Sequence, residues 1–229
     1  MQQYTLLLLD IDGTLLDFHT AEEKALKDCF ANFDIEYTDK NLKTYLHANQ
    51  EVWNELEQGK IDPANLSTER FTRFIARIGK DTGLAPTMSA YFMHKLSQGK
   101  DMMPYALEFL KAIPKSQHIA YITNGLSQVQ RGRLAEHPIM EYCDALYISE
   151  ETGYPKPSPE MIYMAMKDFN ITDKSQVLFI GDSLSSDVGA ANNAGIDCLY
   201  LAERPSNKAK YQAKNLLDAI AFTQIEAQE

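Results

Sequence analysis

The chain has 229 residues, of which 45% are hydrophobic and 24% are charged, and its net charge is −10. This composition is ordinary for a globular protein of one or two domains, and the length is sufficient to bury a core without disulfides or a structural metal. The acidic excess argues against nucleic acid or an anionic membrane surface as the main partner. An anionic substrate would need local cations, a metal ion or backbone N–H groups to bind against this charge.

The cysteines, histidines and N-terminal residues argue against several other classes of protein. Cys29, Cys143 and Cys198 are odd in number, far apart and in no CxxC pair, so we interpret them as reduced thiols of a cytoplasmic protein. The five histidines are never at metal-ligand spacing. The apolar run near the N-terminus is only six residues long and has no basic segment before it, so we expect neither a signal peptide nor a membrane span.

The first predicted element is a buried strand over residues 4–9, because this apolar run is short and uninterrupted. The run is followed by Asp10-Ile11-Asp12-Gly13-Thr14, which places two carboxylates where the strand ends. Open α/β folds bind ligands at this end of their strands, and paired carboxylates there can hold a hard cation or carry out nucleophilic and proton-transfer chemistry. The alternative is a hairpin, because Asp-Gly between apolar runs also favours a tight turn between two strands, here over residues 6–10 and 14–18.

Residues 20–98 are predicted to be almost entirely helical. Apolar residues at helical spacing predict the first helix over residues 21–33, and Asp39, Ser67 and Pro86 are predicted to begin the next three. The predicted helix stops are the three glycines Gly59, Gly79 and Gly99. Four antiparallel helices joined by short loops predict a helical bundle.

After Pro104 the pattern changes to alternating helices and strands. The predicted strands cover residues 119–122, 145–148, 177–180 and 198–201, and a terminal helix is predicted over residues 208–222. This alternation predicts a parallel sheet with helices on both faces, and the strand at residues 4–9 most simply joins that sheet. We therefore predict an α/β fold with a doubly wound, mostly parallel sheet and an inserted four-helix-bundle cap. The predicted catalytic core comprises residues 1–16 and 104–229, and the predicted cap comprises residues 17–103.

Two further motifs could provide positive potential at the same edge of the sheet. Thr123-Asn124-Gly125 closes one predicted strand, where a hydroxyl and backbone N–H groups can hold an anion, although the same residues suit a loop or a helix cap. Lys156 lies between prolines in Tyr154-Pro155-Lys156-Pro157, which would fix its backbone, although a solvated loop lysine is the alternative.

Acidic residues follow a third strand. Gly181-Asp182 ends the predicted strand over residues 177–180, and Asp187 lies in the first turn of the next helix, where a carboxylate is also favoured by the helix dipole. Every one of these motifs falls at the carboxyl end of a predicted parallel strand. One cleft would therefore collect a nucleophile, a base, a cation and an anion site.

In these motifs and their order, the chain resembles the haloacid dehalogenase-like superfamily of phosphohydrolases. All four motifs of that superfamily are present, and the helical insertion resembles its small four-helix cap. Within the superfamily, the chain is most similar to the noncanonical pyrimidine 5′-nucleotidases. The strings that carry this second resemblance are Leu15-Leu16-Asp17-Phe18, Trp53 followed by Gly59-Lys60-Ile61, Arg70-Phe71, Ile122-Thr123-Asn124-Gly125, and Ile148-Ser149-Glu150-Glu151 ahead of Gly153 and Lys156.

The resemblance implies a role for each acidic residue. Asp10 would attack phosphorus and form an aspartyl-phosphate, and Asp12 would be the general acid and then the general base. Mg²⁺ would bind Asp10, the backbone carbonyl of Asp12, and Asp182. Asp187 would be either a further ligand or a residue that contacts the ligands without touching the metal ion. An acid at the position of Asp12 also favours phosphoryl transfer, because the dehalogenase branch lacks it.

The phosphoryl oxygens would be bound by Thr123, the N–H groups of Asn124 and Gly125, and Lys156. In small-cap members the loop between the second and third cap helices reads the leaving group, which points to Lys60 as a substrate-binding residue. The resemblance thus predicts a Mg²⁺-dependent phosphatase of a small phosphorylated metabolite, such as a nucleoside 5′-monophosphate. The alternatives are a sugar-phosphate phosphatase or phosphomutase on the same core, and a binding protein without activity. The oligomeric state is left open.

Overall fold

The computed structural model describes residues 4–58 and 60–223. The chain divides into two compact units, one formed by residues 1–19 and 100–229 and the other by residues 20–99. The predicted boundaries were a few residues away, after residue 16 and before residue 104. Among the helices in the described ranges, none combines the length and the hydrophobicity that a membrane span requires.

The first unit is built on a parallel sheet that has six strands within the described residues. The strands are β1 (Leu6–Leu9), β2 (His118–Thr123), β3 (Ala145–Ile148), β4 (Val177–Gly181), β5 (Asp197–Leu201) and β6 (Tyr211–Ala213). Their order across the sheet is β3-β2-β1-β4-β5-β6, and every pairing is parallel. The predicted α/β fold with a parallel sheet is confirmed.

The helices fall between the strands and in the inserted segment. In chain order they are α1 (Phe18–Asn32), α2 (Asp39–Glu57), α3 (Leu66–Arg77), α4 (Ala85–Leu96), α5 (Ala106–Ala112), α6 (Ser127–Leu134), α7 (Ser149–Thr152), α8 (Glu160–Asp168), α9 (Asp187–Ala194) and α10 (Leu216–Thr223).

The unbroken apolar run of β1 is explained by burial on both faces of the sheet. Leu7 and Leu9 pack into one hydrophobic layer with α5 and α10, and Leu6 and Leu8 pack into the opposite layer with α8 and α9. All four leucines are completely buried. A strand that is covered on both sides has no polar face, so its sequence shows no alternation.

The hairpin interpretation of residues 6–18 is wrong. After β1 the chain makes a tight turn in which the Ile11 carbonyl accepts hydrogen bonds from the N–H groups of Leu15 and Leu16, both at 2.8 Å. Gly13 in this turn has φ +84°, which glycine adopts without strain. The chain then enters α1 instead of a second strand.

The helical unit packs α1–α4 around an aromatic core of Phe30, Tyr45, Phe71, Phe74 and Phe92. The Phe30 and Phe74 rings are stacked with centroids 4.9 Å apart, and Tyr45 meets both of them edge-on. Phe71 and Phe92 contact Tyr45 and each other at tilted or edge-on angles. Large aromatic rings bury much apolar area each, so this cluster contributes strongly to the packing of the helices.

Two predicted helix caps are corrected by the structure. Thr38, not Asp39, caps α2, and its Oγ1 accepts the N–H of Asn41 at 3.2 Å. Ser67 lies inside α3, where its hydroxyl accepts a hydrogen bond from buried Ser89 at 2.7 Å. The predicted stop at Gly79 has φ +73° just beyond the end of α3, whereas Gly59 lies outside the described residues.

Candidate active site

The site lies at the point where the strand order reverses. From β1 the chain continues through β2 and β3 on one side and then crosses to β4 and β5 on the other. Ligands in open α/β sheets bind outside the carboxyl ends of the strands at such a point. Asp10 directly follows β1, Thr123 ends β2 and Asp182 directly follows β4.

The turn after β1 brings the first and last motifs into contact. The Thr14 hydroxyl donates to the Asp182 carboxylate at 3.2 Å. A side chain at position 13 would collide with the same carboxylate, so this close approach requires Gly13. The glycine of the Asp-Gly pair that suggested a hairpin therefore leaves the space in which Asp182 packs against the turn.

Three carboxylates and one ammonium form the centre of the site. Asp10, Asp182 and Asp187 offer carboxylate oxygens that all lie within 4.8 Å of one another. The Lys156 ammonium lies 2.5 Å from Asp10 Oδ1 and 2.7 Å from Asp187 Oδ1, and donates to the Ile122 carbonyl at 3.0 Å. Lys156 is only 5% exposed. It is therefore a buried, fixed cation and not a solvated loop residue.

The electrostatics of this cluster show a shortage of positive charge. Burial raises the pKa of Asp10 well above its usual range, although Lys156 opposes the shift. Burial and then the Asp187 charge raise the pKa of Asp182 to about 6. Burial alone would lower the pKa of Lys156, but Asp10 and Asp187 raise it above the ordinary lysine value. When all four groups are ionised, three negative charges face one positive charge.

A divalent cation fits this set of residues. Carboxylate oxygens are the ligands that Mg²⁺ prefers, and two positive charges would offset the excess that Lys156 leaves. The Asp187 carboxylate is already engaged, because its Oδ2 accepts the N–H of Ser183 at 2.9 Å while Oδ1 meets Lys156. Asp10 and Asp182 are thus the carboxylates more open to a metal ion, and Asp187 anchors the lysine beside them.

We expect Mg²⁺ to stabilise the folded protein more at pH 7.5 than at pH 5. Because the folded pKa of Asp182 is raised to about 6, its ionisation costs stability as pH rises through that value, and a bound cation removes this cost. At a Mg²⁺ concentration of about 100 times Kd, the gain is about 2.7 kcal/mol, which corresponds to a rise in Tm of about 5–10 °C for a chain of this size. Differential scanning fluorimetry with and without Mg²⁺ at the two pH values measures this difference.

The Asp182→Asn variant makes the same test more specific. It should raise the Tm of the metal-free protein at pH 7.5, because a carboxylate with a raised pKa is removed, and it should abolish the rise caused by Mg²⁺. The matched control is Asp218→Asn, at an exposed carboxylate on α10. An undiminished Mg²⁺ effect in Asp182→Asn would place the ion elsewhere.

The Thr123-Asn124-Gly125 motif fixes Lys156 as well as closing β2. The Asn124 side chain pairs with the Lys156 backbone in both directions: Nδ2 donates to the Lys156 carbonyl and Oδ1 accepts the Lys156 N–H, each at 2.8 Å. The Gly125 N–H donates to Thr123 Oγ1 at 3.0 Å. Of the groups predicted to bind phosphoryl oxygens, the Gly125 N–H is thus already committed within the loop.

Sequence reasoning missed two residues that contact Asp12. Gln130 and Arg133 on α6 both donate to its carboxylate, Gln130 to Oδ2 and Arg133 to Oδ1. Gln130 is 1% exposed and Arg133 is fully buried. A usable signal was their i, i+3 spacing on a helix that directly follows the Thr123 motif, which puts both side chains on one face.

Lys60 belongs to the helical unit and is exposed. Its N–H donates to the Glu55 carbonyl at 2.9 Å just after α2. It helps to line a polar pocket of about 440 Å³ within that unit, together with Asp62, Glu69 and Arg73. Arg73 is held there between Glu55 and Glu69 at 2.8–2.9 Å.

Comparison with known proteins gives a consistent result. A family model described as haloacid dehalogenase-like hydrolase matches residues 7–201. The pyrimidine 5′-nucleotidase PynA of Streptococcus pneumoniae is 31% identical over 86% of this chain and 83% of its own length. The pyrimidine 5′-nucleotidase YjjG of Escherichia coli is 29% identical over 85% of this chain and 84% of its own length.

A solved structure of the same family has a fold similar to that of this chain. The crystal structure of the HAD-hydrolase YfnB of Bacillus subtilis, bound to magnesium, superposes with a TM-score of 0.89 at 25% identity and covers 96% of this chain and 99% of that chain. Its bound magnesium accords with the carboxylate cluster of Asp10, Asp182 and Asp187. The chain belongs to the haloacid dehalogenase-like hydrolase family.

Proposed function

We propose that this protein is a Mg²⁺-dependent phosphomonoester hydrolase that works through an aspartyl-phosphate and acts on nucleoside 5′-monophosphates. The observation that carries the reaction is the position of Asp10 at the switch point of the sheet, 2.5 Å from a buried lysine and beside two further carboxylates. The two nucleotidase relatives support the substrate class.

In the first step Asp10 attacks phosphorus. An Asp10 carboxylate oxygen forms a bond to phosphorus while the bond from phosphorus to the ester oxygen breaks, and the leaving alkoxide takes a proton from Asp12. The fixed Lys156 ammonium neutralises negative charge on the nucleophile and on the incoming phosphoryl group. The Thr123 hydroxyl donates to a phosphoryl oxygen.

In the second step water hydrolyses the intermediate. Asp12, now ionised, accepts a proton from the attacking water, the bond between Asp10 and phosphorus breaks, and inorganic phosphate leaves. Asp10 and Asp182, with the backbone carbonyl of Asp12, would hold Mg²⁺, and Asp187 would orient Lys156 beside it. The bound ion supplies positive charge that lets a phosphate dianion approach these carboxylates.

A sugar-phosphate phosphatase or a phosphomutase would use the same residues, so the reacting groups alone do not separate these functions. A binding protein without activity usually lacks a nucleophile or a metal ligand, whereas Asp10, Asp182 and Lys156 are all present in contact. The nucleotidase proposal is therefore tested by a panel of phosphoesters with Mg²⁺. It includes pyrimidine and purine monophosphates, sugar phosphates and 4-nitrophenyl phosphate, and phosphate release is measured.

We expect the highest kcat/KM in this panel for a nucleoside monophosphate. A preference for sugar phosphates would replace the nucleotidase proposal while preserving the mechanism. Conversion of a sugar phosphate to its isomer without release of phosphate would indicate a mutase. No turnover of any ester would favour the binding protein.

We expect Lys60→Ala to raise KM for a nucleoside monophosphate by about tenfold, the loss of one hydrogen bond to a charged group, and to leave KM for 4-nitrophenyl phosphate nearly unchanged. Lys60 is exposed in a polar pocket of the helical unit, where it could bind the part of a substrate beyond the phosphate. Steady-state kinetics with both substrates measures the difference. The matched control is Lys43→Ala, at another exposed lysine of the same unit. Equal effects on the two substrates would remove Lys60 from substrate binding.

A further inference from the structure

The Asp12 carboxylate is held by two buried polar side chains that the mechanism above does not use. Gln130 Nε2 donates to Asp12 Oδ2, and Arg133 Nη1 donates to Asp12 Oδ1, so each carboxylate oxygen has its own donor. Arg133 is itself fixed by burial and by the Phe18 ring, whose centroid lies 5.6 Å from the guanidinium carbon. Two different donors on a rigid helix define both the position and the rotation of the carboxylate.

Gln130 also contacts the phosphate-binding motif. Its Nε2 lies 3.1 Å from Thr123 Oγ1, and a side chain in place of Gly125 would collide with the Gln130 amide. One amide group therefore bridges the Asp12 carboxylate and the Thr123 hydroxyl. The glycine of the Thr123 motif leaves the space in which that bridge is made.

These contacts fix the orientation of the Gln130 amide and of the Thr123 hydroxyl. A carboxylate can only accept, so the amide must present its NH₂ group to Asp12, and its two hydrogens serve Asp12 and Thr123. Thr123 Oγ1 accepts from Gln130 and from the Gly125 N–H. With both lone pairs occupied, the Thr123 hydroxyl hydrogen is left to donate, which is the role that a phosphoryl oxygen requires.

The protein engages only one side of the Gln130 amide. Within the described ranges its buried Oε1 has no hydrogen-bond partner. A buried carbonyl without a partner lowers stability, and an apolar residue of the same shape would avoid this loss. A stability cost that is retained at a reacting group is typical of a functional constraint.

We propose that Gln130 and Arg133 are positioning residues that hold the Asp12 carboxylate in line for proton transfer to the leaving group, and that Gln130 also sets Thr123 as a donor. The inference rests on the proposed function, in which Asp12 is the general acid. The Asp12 side chain remains 22% exposed, so the two donors do not close it off. Each of its oxygens has a second lone pair available for the transferred proton.

The test compares two phosphate esters whose leaving groups differ in how much they depend on protonation by a general acid. Phenyl phosphate and 4-nitrophenyl phosphate have rings of similar size, but phenolate is the poorer leaving group and depends more on protonation. In Gln130→Leu we expect kcat/KM for phenyl phosphate to fall about tenfold more than kcat/KM for 4-nitrophenyl phosphate, because a displaced general acid costs most where the leaving group needs it. The Tm of Gln130→Leu should change little, because the loss of the two hydrogen bonds that the amide donates is offset by removal of the unpartnered carbonyl.

Arg133→Lys is the second variant, and it keeps the buried charge while losing the planar guanidinium. It should change the ratio of the two kcat/KM values in the same direction. The matched controls are on the same helix: Gln128→Leu at an exposed glutamine, and Arg131→Met at an exposed arginine that pairs with Glu151 at 2.6 Å. Both controls should leave the ratio unchanged.

Asp12→Asn serves as the reference that separates this inference from the proposed function. If Asp12→Asn does not change the ratio, Asp12 is not the acid and both proposals fall. If Asp12→Asn changes it and Gln130→Leu does not, only the positioning inference falls. A Gln130→Leu protein that loses stability and both activities equally would also overturn it, since that result describes a structural residue.

Discussion

The Asp10→Asn variant is expected to lose at least about 10⁴-fold in kcat while remaining folded. A neutral amide cannot form the bond to phosphorus, so the aspartyl-phosphate does not form. We expect no other group of the site to replace Asp10 as the nucleophile at a comparable rate. Folding should survive because Asp10 is a buried carboxylate whose pKa is raised by burial, and Asn has nearly the same shape. Lys156 keeps two of its three partners, Asp187 and the Ile122 carbonyl.

The measurement is release of 4-nitrophenolate and phosphate in Mg²⁺, together with a thermal melt of both proteins. Asp218→Asn provides a control for the chemical change at an exposed site. Substantial residual turnover in a homogeneous, folded Asp10→Asn preparation would mean that another group attacks phosphorus.

Removal of divalent cations should reduce activity to less than about 1% of its value in Mg²⁺, and returning Mg²⁺ should restore it. Without the ion, the ionised carboxylates of Asp10, Asp182 and Asp187 would repel a phosphate dianion, and Lys156 alone cannot offset them. The all-oxygen donor set favours a hard cation such as Mg²⁺ over softer metals.

Treatment with a chelator, followed by gel filtration and titration with Mg²⁺, measures this requirement. The control is the same treatment with Mg²⁺ in excess of the chelator throughout. An enzyme that hydrolyses phosphoesters at full rate after exhaustive removal of metal would contradict the metal assignment.

The fold could be predicted where the burial of an element produces a clear hydrophobic pattern in the sequence. The run that contains Leu6–Leu9 has no polar residue because β1 is covered on both faces, and alternating strands and helices imply a parallel sheet. Strand β6 was missed, and residues 208–222 were predicted as one helix. Tyr211–Ala213 is a three-residue strand at the edge of the sheet, too short to show a strand periodicity of its own.

The central cluster was predictable because its residues follow strands. Asp10, Thr123 and Asp182 are brought together by the parallel sheet itself, so knowing the strand ends was sufficient. Gln130 and Arg133 were not predictable in this way. They lie within a helix of low overall hydrophobicity, and only the packing of α6 against the turn after β1 shows that these polar residues point inward.

Helix starts were the least predictable local feature. Thr38 and Asp39 are both good capping residues, and the backbone conformation of Thr38, with φ −108° and ψ 157°, decides between them. Ser67 likewise suits a cap, but burial against Ser89 places it inside α3. In both cases local residue preference alone does not identify the first residue of the helix.

The central claim is that phosphoryl transfer passes through Asp10. It is tested most directly by rapid acid quench of the Asp12→Asn variant during turnover of 4-nitrophenyl phosphate in Mg²⁺, followed by peptide mass spectrometry. Because this variant lacks the base that activates water, the intermediate should accumulate, and a burst of 4-nitrophenolate close to one per enzyme should accompany it. The predicted result is a hydroxylamine-sensitive phosphoryl group on Asp10. Turnover with no phosphoryl group on Asp10, or with the group on another residue, would contradict the account.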